Sequence, residues 1–169
     1  EGDLGTVQVL EDPDEPAKRA MAIDGYKIGW SGAYAGTSMH KKEIVLAHLP
    51  MVLHPEAKRT LNVGLASGVT LETLAKYDSV ETLDCVEISR SVVRANAFFD
   101  ASSVLEDDRV TLFVDDAVYY LLCTETEYDL IISDGKQHPF HSGNATILSH
   151  EFYTFARNRL AEDGLFVQW

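Results

Sequence analysis

Thr60-Leu61-Asn62-Val63-Gly64-Leu65-Ala66-Ser67-Gly68 decides how this chain folds, read together with Tyr128-Asp129-Leu130-Ile131-Ile132-Ser133-Asp134. The first stretch is an apolar strand run that breaks into a loop of small residues, with a helical pattern behind it. Such a loop brings backbone N–H groups and a helix N-terminus close to a ligand. The second stretch is a strand pattern that delivers a carboxylate at its C-terminal end. In an open parallel sheet, ligands bind beyond the carboxyl ends of the strands, where the strand order reverses. If these two strands flank that point, a nucleotide-like ligand and an acid/base group share one crevice.

Working outward, strand-like runs fall at 60–64, 82–87, 110–114, 129–134 and 164–169, and helical patterns at 68–77, 89–100, 116–124 and 149–161. This alternation predicts an α/β fold, a parallel sheet with right-handed crossovers flanked by helices. The helix at 89–100 carries Val92, Val93, Ala95, Ala97 and Phe98 as a mostly apolar face, with Arg90 and Arg94 at its margin. Ser149 and Glu151 suit the start of the last helix. Ahead of the first of these strands, Ser38 suits the cap of a helix carrying Ile44, Val45, Ala47, Leu49 and Val52, which Pro50 kinks or interrupts. Near the N-terminus, Thr6–Leu10 alternates, Glu11–Pro16 is an acidic proline-containing turn, Arg19–Ile23 alternates again, and Asp24-Gly25 is a tight-turn signal. The expected organisation is a small antiparallel β-hairpin unit at 1–36 followed by an α/β unit at 37–169. The stretch 135–148 is long and irregular and predicts a lid over the strand ends. The chain stops at Trp169 within a strand-like run whose edge lacks a partner, so further C-terminal strands are expected in a longer parent protein.

A chain of 169 residues with 46% hydrophobic and 24% charged residues supports one globular domain with a sizeable core. The net charge of −13 repels nucleic-acid phosphates and favours cationic partners, although solubility alone also accounts for it. Cys85 and Cys123 lie in apolar runs and read as reduced core thiols. Neither a signal peptide nor an apolar run of the ~20 residues that a membrane helix needs is visible, so a cytoplasmic location is expected. His138 and His141 are spaced for a metal, but no third ligand stands near them in sequence, and no metal is expected.

Four elements carry the chemistry. Gly64-Leu65-Ala66-Ser67-Gly68 is the first; alone, a glycine at a strand end is often only a turn. Glu87 closes the next strand 19 residues past Gly68. An acid at that spacing suits the two hydroxyls of a ribose, and a solvated carboxylate near a helix start is the plainer reading. Asp115-Asp116-Ala117 follows the third strand; one carboxylate suits an adenine amine and the other a helix cap. Asp134 is the fourth, placed to orient an amine nucleophile or accept its proton, or simply to brace the loop as an Asx-turn residue.

Taken together these residues resemble the spermidine synthase (polyamine aminopropyltransferase) family, a branch of the Rossmann-like class I S-adenosylmethionine-dependent methyltransferase fold. The likeness runs through Glu1-Gly2-Asp3-Leu4-Gly5-Thr6-Val7-Gln8-Val9, Asp24-Gly25 and Ala47-His48-Leu49-Pro50-Met51-Val52-Leu53-His54-Pro55. It continues through Val86-Glu87-Ile88-Ser89, Glu151-Phe152-Tyr153 and Arg159-Leu160-Ala161-Glu162-Asp163-Gly164. The resemblance implies transfer of an aminopropyl group from decarboxylated S-adenosylmethionine to a small cationic amine such as putrescine. It implies cofactor contacts at Gly64, Ala66, Ser67, Gly68, Glu87, Ile88, Asp115, Asp116 and Ala117. Glu87 would take the ribose, Asp116 the adenine and Asp134 the attacking amine, with Gln137 and His138 beside the acceptor. It is also compatible with a homodimer and with fusion to a membrane domain.

The sequence departs from the family pattern at three places. Ser67 stands where the family carries an Asp that faces the aminopropyl ammonium, which weakens the preference for the decarboxylated cofactor over intact S-adenosylmethionine. Gln137 replaces a second Asp after the catalytic one. The family's Tyr-containing segment has no clear match near Lys41 and Lys42, whose charges would repel a polyamine if they faced the pocket. A methyltransferase, or a degenerate nucleotide- or polyamine-binding domain, is therefore the alternative expectation.

Overall fold

The computed structural model describes residues 5–32, 38–135 and 146–169, with the backbone alone at 38–40. Three antiparallel strands open it, β1 (Val7–Glu11), β2 (Arg19–Ile23) and β3 (Tyr26–Trp30), in the order β1-β2-β3. Asp24 and Gly25 take positive φ values of 49° and 82°. A two-residue hairpin loop of this kind requires that geometry of both residues. The Asp24 carboxylate also accepts a hydrogen bond from the Thr6 N–H at 2.8 Å, which ties β1 to the turn.

The elements then alternate: α1 (Ser38–Leu53), β4 (Arg59–Val63), α2 (Val69–Ala75), β5 (Thr82–Val86), α3 (Arg90–Asn96), a 3-10 helix (Asp100–Glu106), β6 (Val110–Phe113), α4 (Ala117–Cys123), β7 (Tyr128–Ser133), α5 (His150–Asn158) and β8 (Leu160–Gln168). Strands β4 to β8 form one parallel sheet in the order β6-β5-β4-β7-β8. The chain runs outward from β4 to β5 and β6, then returns to the other side of β4 for β7 and β8. The reversal therefore lies between β4 and β7, the two strands whose sequences suggested it.

Alternate residues of each strand serve opposite faces. Leu61, Val63 and Ile131 pack with Tyr120 and Leu121 of α4 and Phe152 and Ala156 of α5. Leu83, Cys85, Leu130 and Ile132 pack with Leu46 and Met51 of α1 and Leu71 and Leu74 of α2. Leu130, Ile131 and Ile132 are wholly buried, each worth about 2 kcal/mol. Burial on both faces is why β7 reads as a continuous apolar run. The N-terminal sheet has its own contact: Met21 and Ile28 pack on Val92, Ala95 and Phe99 at α3.

Several sequence expectations shift here. Pro50 neither breaks nor interrupts α1, which runs to Leu53. The buried face of α1 is Lys42, Glu43, Leu46, Ala47, Pro50 and Met51, whereas Val45, Leu49 and Val52 are exposed. The third helix stops at Asn96; Ala97 and Phe98 face solvent and Phe99 turns into the core instead. The last helix ends at Asn158 because Tyr128 N–H bonds the Arg159 carbonyl at 2.7 Å, starting β8 four residues earlier than its sequence pattern suggests. Cys85 is buried and its thiol pushed up, first by burial and then by the Glu87 charge; Cys123 is exposed at the end of α4 rather than in the core.

Arg109 holds the sheet's N-terminal side together. Its guanidinium donates to the carbonyls of Ala75 (2.7 Å), Val80 (3.1 Å) and Tyr77 (3.4 Å), closing the end of α2, and to the Asp107 carboxylate at 2.7 Å. That contact holds the Asp107 carboxyl at about 2 against an ordinary 3.8. Arg109→Ala is expected to lower stability by about 2 kcal/mol, read as a fall in the urea midpoint. The Asp107 share of this stability is present above pH 3.8 and is lost as the pH falls through about 2.

Candidate functional site

One row of backbone hydrogen bonds ties together the C-terminal ends of four strands. Asp134 N–H donates to the Val63 carbonyl at 3.0 Å, and Gly64 N–H to the Val86 carbonyl at 2.8 Å. Glu87 N–H donates to the Phe113 carbonyl at 2.9 Å, and Asp115 N–H to the Glu87 carbonyl at 3.2 Å. Asp134, Gly64, Glu87 and Asp115 thus stand side by side along one rim, in the strand order β7-β4-β5-β6. Neighbouring strands lie about 4.8 Å apart, so the row is roughly 14 Å long.

The loop between β4 and α2 is held in an unusual backbone. Gly64 and Gly68 take φ values of 94° and 89°. A Cβ at Gly64 would lie 3.3 Å from the Asp134 carbonyl, and one at Gly68 would lie 3.2 Å from the Ala101 carbonyl. Ala66 is also left-handed at 44°, which costs a non-glycine residue about 1 kcal/mol or more. Two buried amides brace it: Asn62 Nδ2 donates to the Gly64 carbonyl at 2.6 Å and Asn96 Nδ2 to the Ala66 carbonyl at 3.0 Å. Ser67 is wholly buried. It lies against β3, where a Cβ at Gly29 would come within 2.8 Å of its backbone nitrogen. Its hydroxyl has no hydrogen-bond partner among the described residues.

Glu87 is buried behind this loop. One carboxylate oxygen accepts from Leu65 N–H and the other from Ser89 N–H, each at 2.9 Å. Burial pushes its carboxyl above the ordinary range, opposed by the backbone N–H groups of Leu65 and its neighbours. The Ala66 and Ile88 N–H groups also act on this carboxylate, which makes it a concentrated acceptor at the rim. Ile88, next in the chain, is exposed and offers an apolar surface. Asp116 is the helix cap of the acidic pair: its Oδ1 accepts from Val118 N–H at 2.8 Å and Tyr119 N–H at 3.1 Å. Ala117 is buried under it. Asp115 is exposed, and its Oδ1 accepts only the Asp116 N–H, at 2.8 Å, among the hydrogen bonds of the described residues.

Asp134 meets a cation. Lys42 Nζ lies 2.5 Å from its Oδ1, and both side chains are nearly enclosed, with 6% and 9% of their surface exposed. The Thr70 hydroxyl lies 3.3 Å from Asp134 Oδ2 and 3.3 Å from the Glu43 carbonyl, one proton shared between them. The Lys42 ammonium also stands 5.5 Å from the centre of the Trp169 ring. The expected acid/base residue is thus an ion-paired carboxylate, and Lys42 faces it.

The structure therefore gathers Gly64, Ala66, Gly68, Glu87, Ile88, Asp115, Asp116, Ala117 and Asp134 along one rim, and turns Ser67 beneath the N-terminal sheet. Gln137, His138, His141 and most of the expected lid lie outside the described residues. Sequence reading missed Thr70, Asn62 and Asn96. For the two amides a signal existed, since each is a polar residue set inside an apolar run. Among the described residues no helix is long and apolar enough to cross a membrane.

Known proteins share this fold and much of this sequence. A polyamine aminopropyltransferase of Agathobacter rectalis is 33% identical over 151 residues, covering 88% of this chain and 50% of that protein. A crystal structure of spermidine synthase in complex with the transition-state analogue AdoDATO superposes with a TM-score of 0.80 at 29% identity, covering 95% of this chain and 53% of that one. Spermidine synthase from Thermotoga maritima gives a TM-score of 0.77 at 29% identity, with 95% and 52% covered. The chain spans about half the length of the curated relatives it matches. The spermine/spermidine synthase domain matches residues 39–169, and the chain belongs to that family.

Proposed function

We propose that this chain carries the donor-binding half of an aminopropyltransferase, which moves an aminopropyl group from decarboxylated S-adenosylmethionine to an amine. The observation that carries this reading is the adjacency of the Gly64 loop and Asp134 across the strand reversal, where Asp134 N–H bonds the Val63 carbonyl at 3.0 Å.

The rim suits a nucleoside sulfonium donor laid across the strand ends. Ile88 and Asp115 border the place for an adenine, Glu87 offers acceptors to the ribose hydroxyls, and the Gly64–Gly68 backbone lies where the sulfonium would rest. Bound there, the donor supplies a carbon activated by its sulfonium, so that the acceptor nitrogen's lone pair forms the new C–N bond as the C–S pair returns to sulfur. Asp134 accepts a hydrogen bond from the acceptor nitrogen and directs its lone pair, which is catalysis by alignment. Lys42 and Thr70 fix the carboxylate's orientation.

The identity of residue 67, a serine where a carboxylate would repel the carboxylate of intact S-adenosylmethionine, favours that form as a second donor. Calorimetric titration with both forms, followed by mass spectrometry of the products with a panel of amines, tests the reading. The expected result is tighter binding of the decarboxylated form and a mass gain of one aminopropyl group on an amine. Binding of neither form, or a gain of one methyl group, contradicts it.

A further inference from the structure

Helix α3 touches the donor rim at both of its ends. At its start the Ser89 N–H donates to Glu87 Oε1 at 2.9 Å. At its last residue Asn96 Nδ2 donates to the Ala66 carbonyl at 3.0 Å. The helix is held in place between these points, because Val92 and Ala95 pack under Met21 and Ile28 of the N-terminal sheet. Asn96 is wholly buried, and its Oδ1 has no hydrogen-bond partner among the described residues. A buried acceptor left in this way is destabilising, and an apolar side chain at the end of α3 would avoid it. What the amide provides in exchange is its bond to Ala66. Gly68 leaves room for it, since a Cβ there would come within 3.2 Å of Asn96 Nδ2.

Ala66 is the point at which the loop needs holding. Its φ of 44° is left-handed, a conformation that glycine takes freely and alanine resists. Its carbonyl is turned inward to Asn96. The Leu65 N–H donates to Glu87 Oε2 at 2.9 Å, and the Ala66 N–H acts on the same carboxylate. If Ala66 relaxed to negative φ, the peptide carrying its N–H would turn away from Glu87. The carboxylate would then lose part of the set of donors that fixes its direction.

We infer that Asn96 is a positioning residue for donor binding: it holds Ala66 left-handed, and through Ala66 it fixes Glu87 toward the donor's ribose. The inference rests on the donor-binding reading above and adds to it a residue that touches no ligand. The test is calorimetric titration of the whole protein with decarboxylated S-adenosylmethionine, with a urea midpoint for every variant. Asn96→Ala is expected to weaken binding about tenfold. In a protein that also carries Ala66→Gly the same change is expected to weaken it about threefold or less, relative to Ala66→Gly alone, because glycine needs no brace at positive φ. Asn96→Leu, which fills the place with apolar atoms, is expected to repeat the result without leaving a cavity. An equal loss with and without Ala66→Gly overturns the inference, since Asn96 would then act by another route. Wild-type affinity in a folded Asn96→Leu protein overturns it too, and both results leave the donor-binding reading standing. If no Asn96 variant folds, with or without Ala66→Gly, the residue serves the fold and the inference falls. Failure of the wild type to bind decarboxylated S-adenosylmethionine removes the donor-binding reading itself and the inference with it.

Discussion

Asp134→Asn is expected to slow turnover by about a thousandfold while donor binding stays within a few-fold. The asparagine keeps the shape and one acceptor oxygen but loses the charge that orients the incoming nitrogen. The same change has a second consequence, which the pairing with Lys42 dictates. Lys42 is 6% exposed at its side chain, and removing its carboxylate leaves a buried ammonium uncompensated. Breaking a buried pair in this way costs about 3 kcal/mol or more. The single variant is therefore expected to be both inactive and less stable. Stability alone would return in the double variant Lys42→Met with Asp134→Asn, because both charges leave together. Denaturant midpoints and single-turnover rates of the three proteins separate the two effects. If activity returned with stability, Asp134 would be a structural residue and its role in transfer would be lost.

Glu87→Ala is expected to weaken donor binding by about a hundredfold, since the ribose loses a charged acceptor worth about 3 kcal/mol. The structure adds a cost that the ribose role alone does not contain. Leu65 N–H and Ser89 N–H both bond this carboxylate at 2.9 Å, so alanine strands two buried donors, each worth about 1 kcal/mol or more. The loop carrying Ala66 at φ 44° also loses the clamp that holds its strained form. Calorimetry at a denaturant-free temperature well below the melt reads the affinity, and a urea titration reads the stability. An unaltered dissociation constant alongside a lower urea midpoint would assign Glu87 to bracing the loop only.

How much of this was legible in the sequence depended on how local each feature is. Strand β7 was legible because Leu130, Ile131 and Ile132 are buried from both sides, which leaves an unbroken apolar run. The Asp24-Gly25 turn was legible because positive φ at two successive positions restricts residue choice. The row Asp134, Gly64, Glu87 and Asp115 followed from strand ends and the reversal rule, with no side-chain detail needed. Face and contact were harder. Helix α1 carries apolar residues on both sides, so Val45, Leu49 and Val52 looked like its core face beside Ala47, whereas Leu46 and Met51 fill it with Ala47. The Lys42–Asp134 pair joins residues 92 positions apart, and periodicity encodes nothing at that range. Lysine on a helix is ordinarily a solvated charge, and only the packing of α1 against α2, β7 and β8 turns this one inward. Ser67 raised a similar problem, since the loop's sequence suits a ligand whichever way that hydroxyl faces, and the N-terminal sheet decides it.

The most direct measurement is a crystal structure of the protein with decarboxylated S-adenosylmethionine. The account predicts the adenosyl group along the rim from Asp115 to Gly64, with its ribose hydroxyls on Glu87 and its aminopropyl carbon directed toward Asp134. Donor density away from that rim, or strand ends sealed by packed side chains, would contradict it.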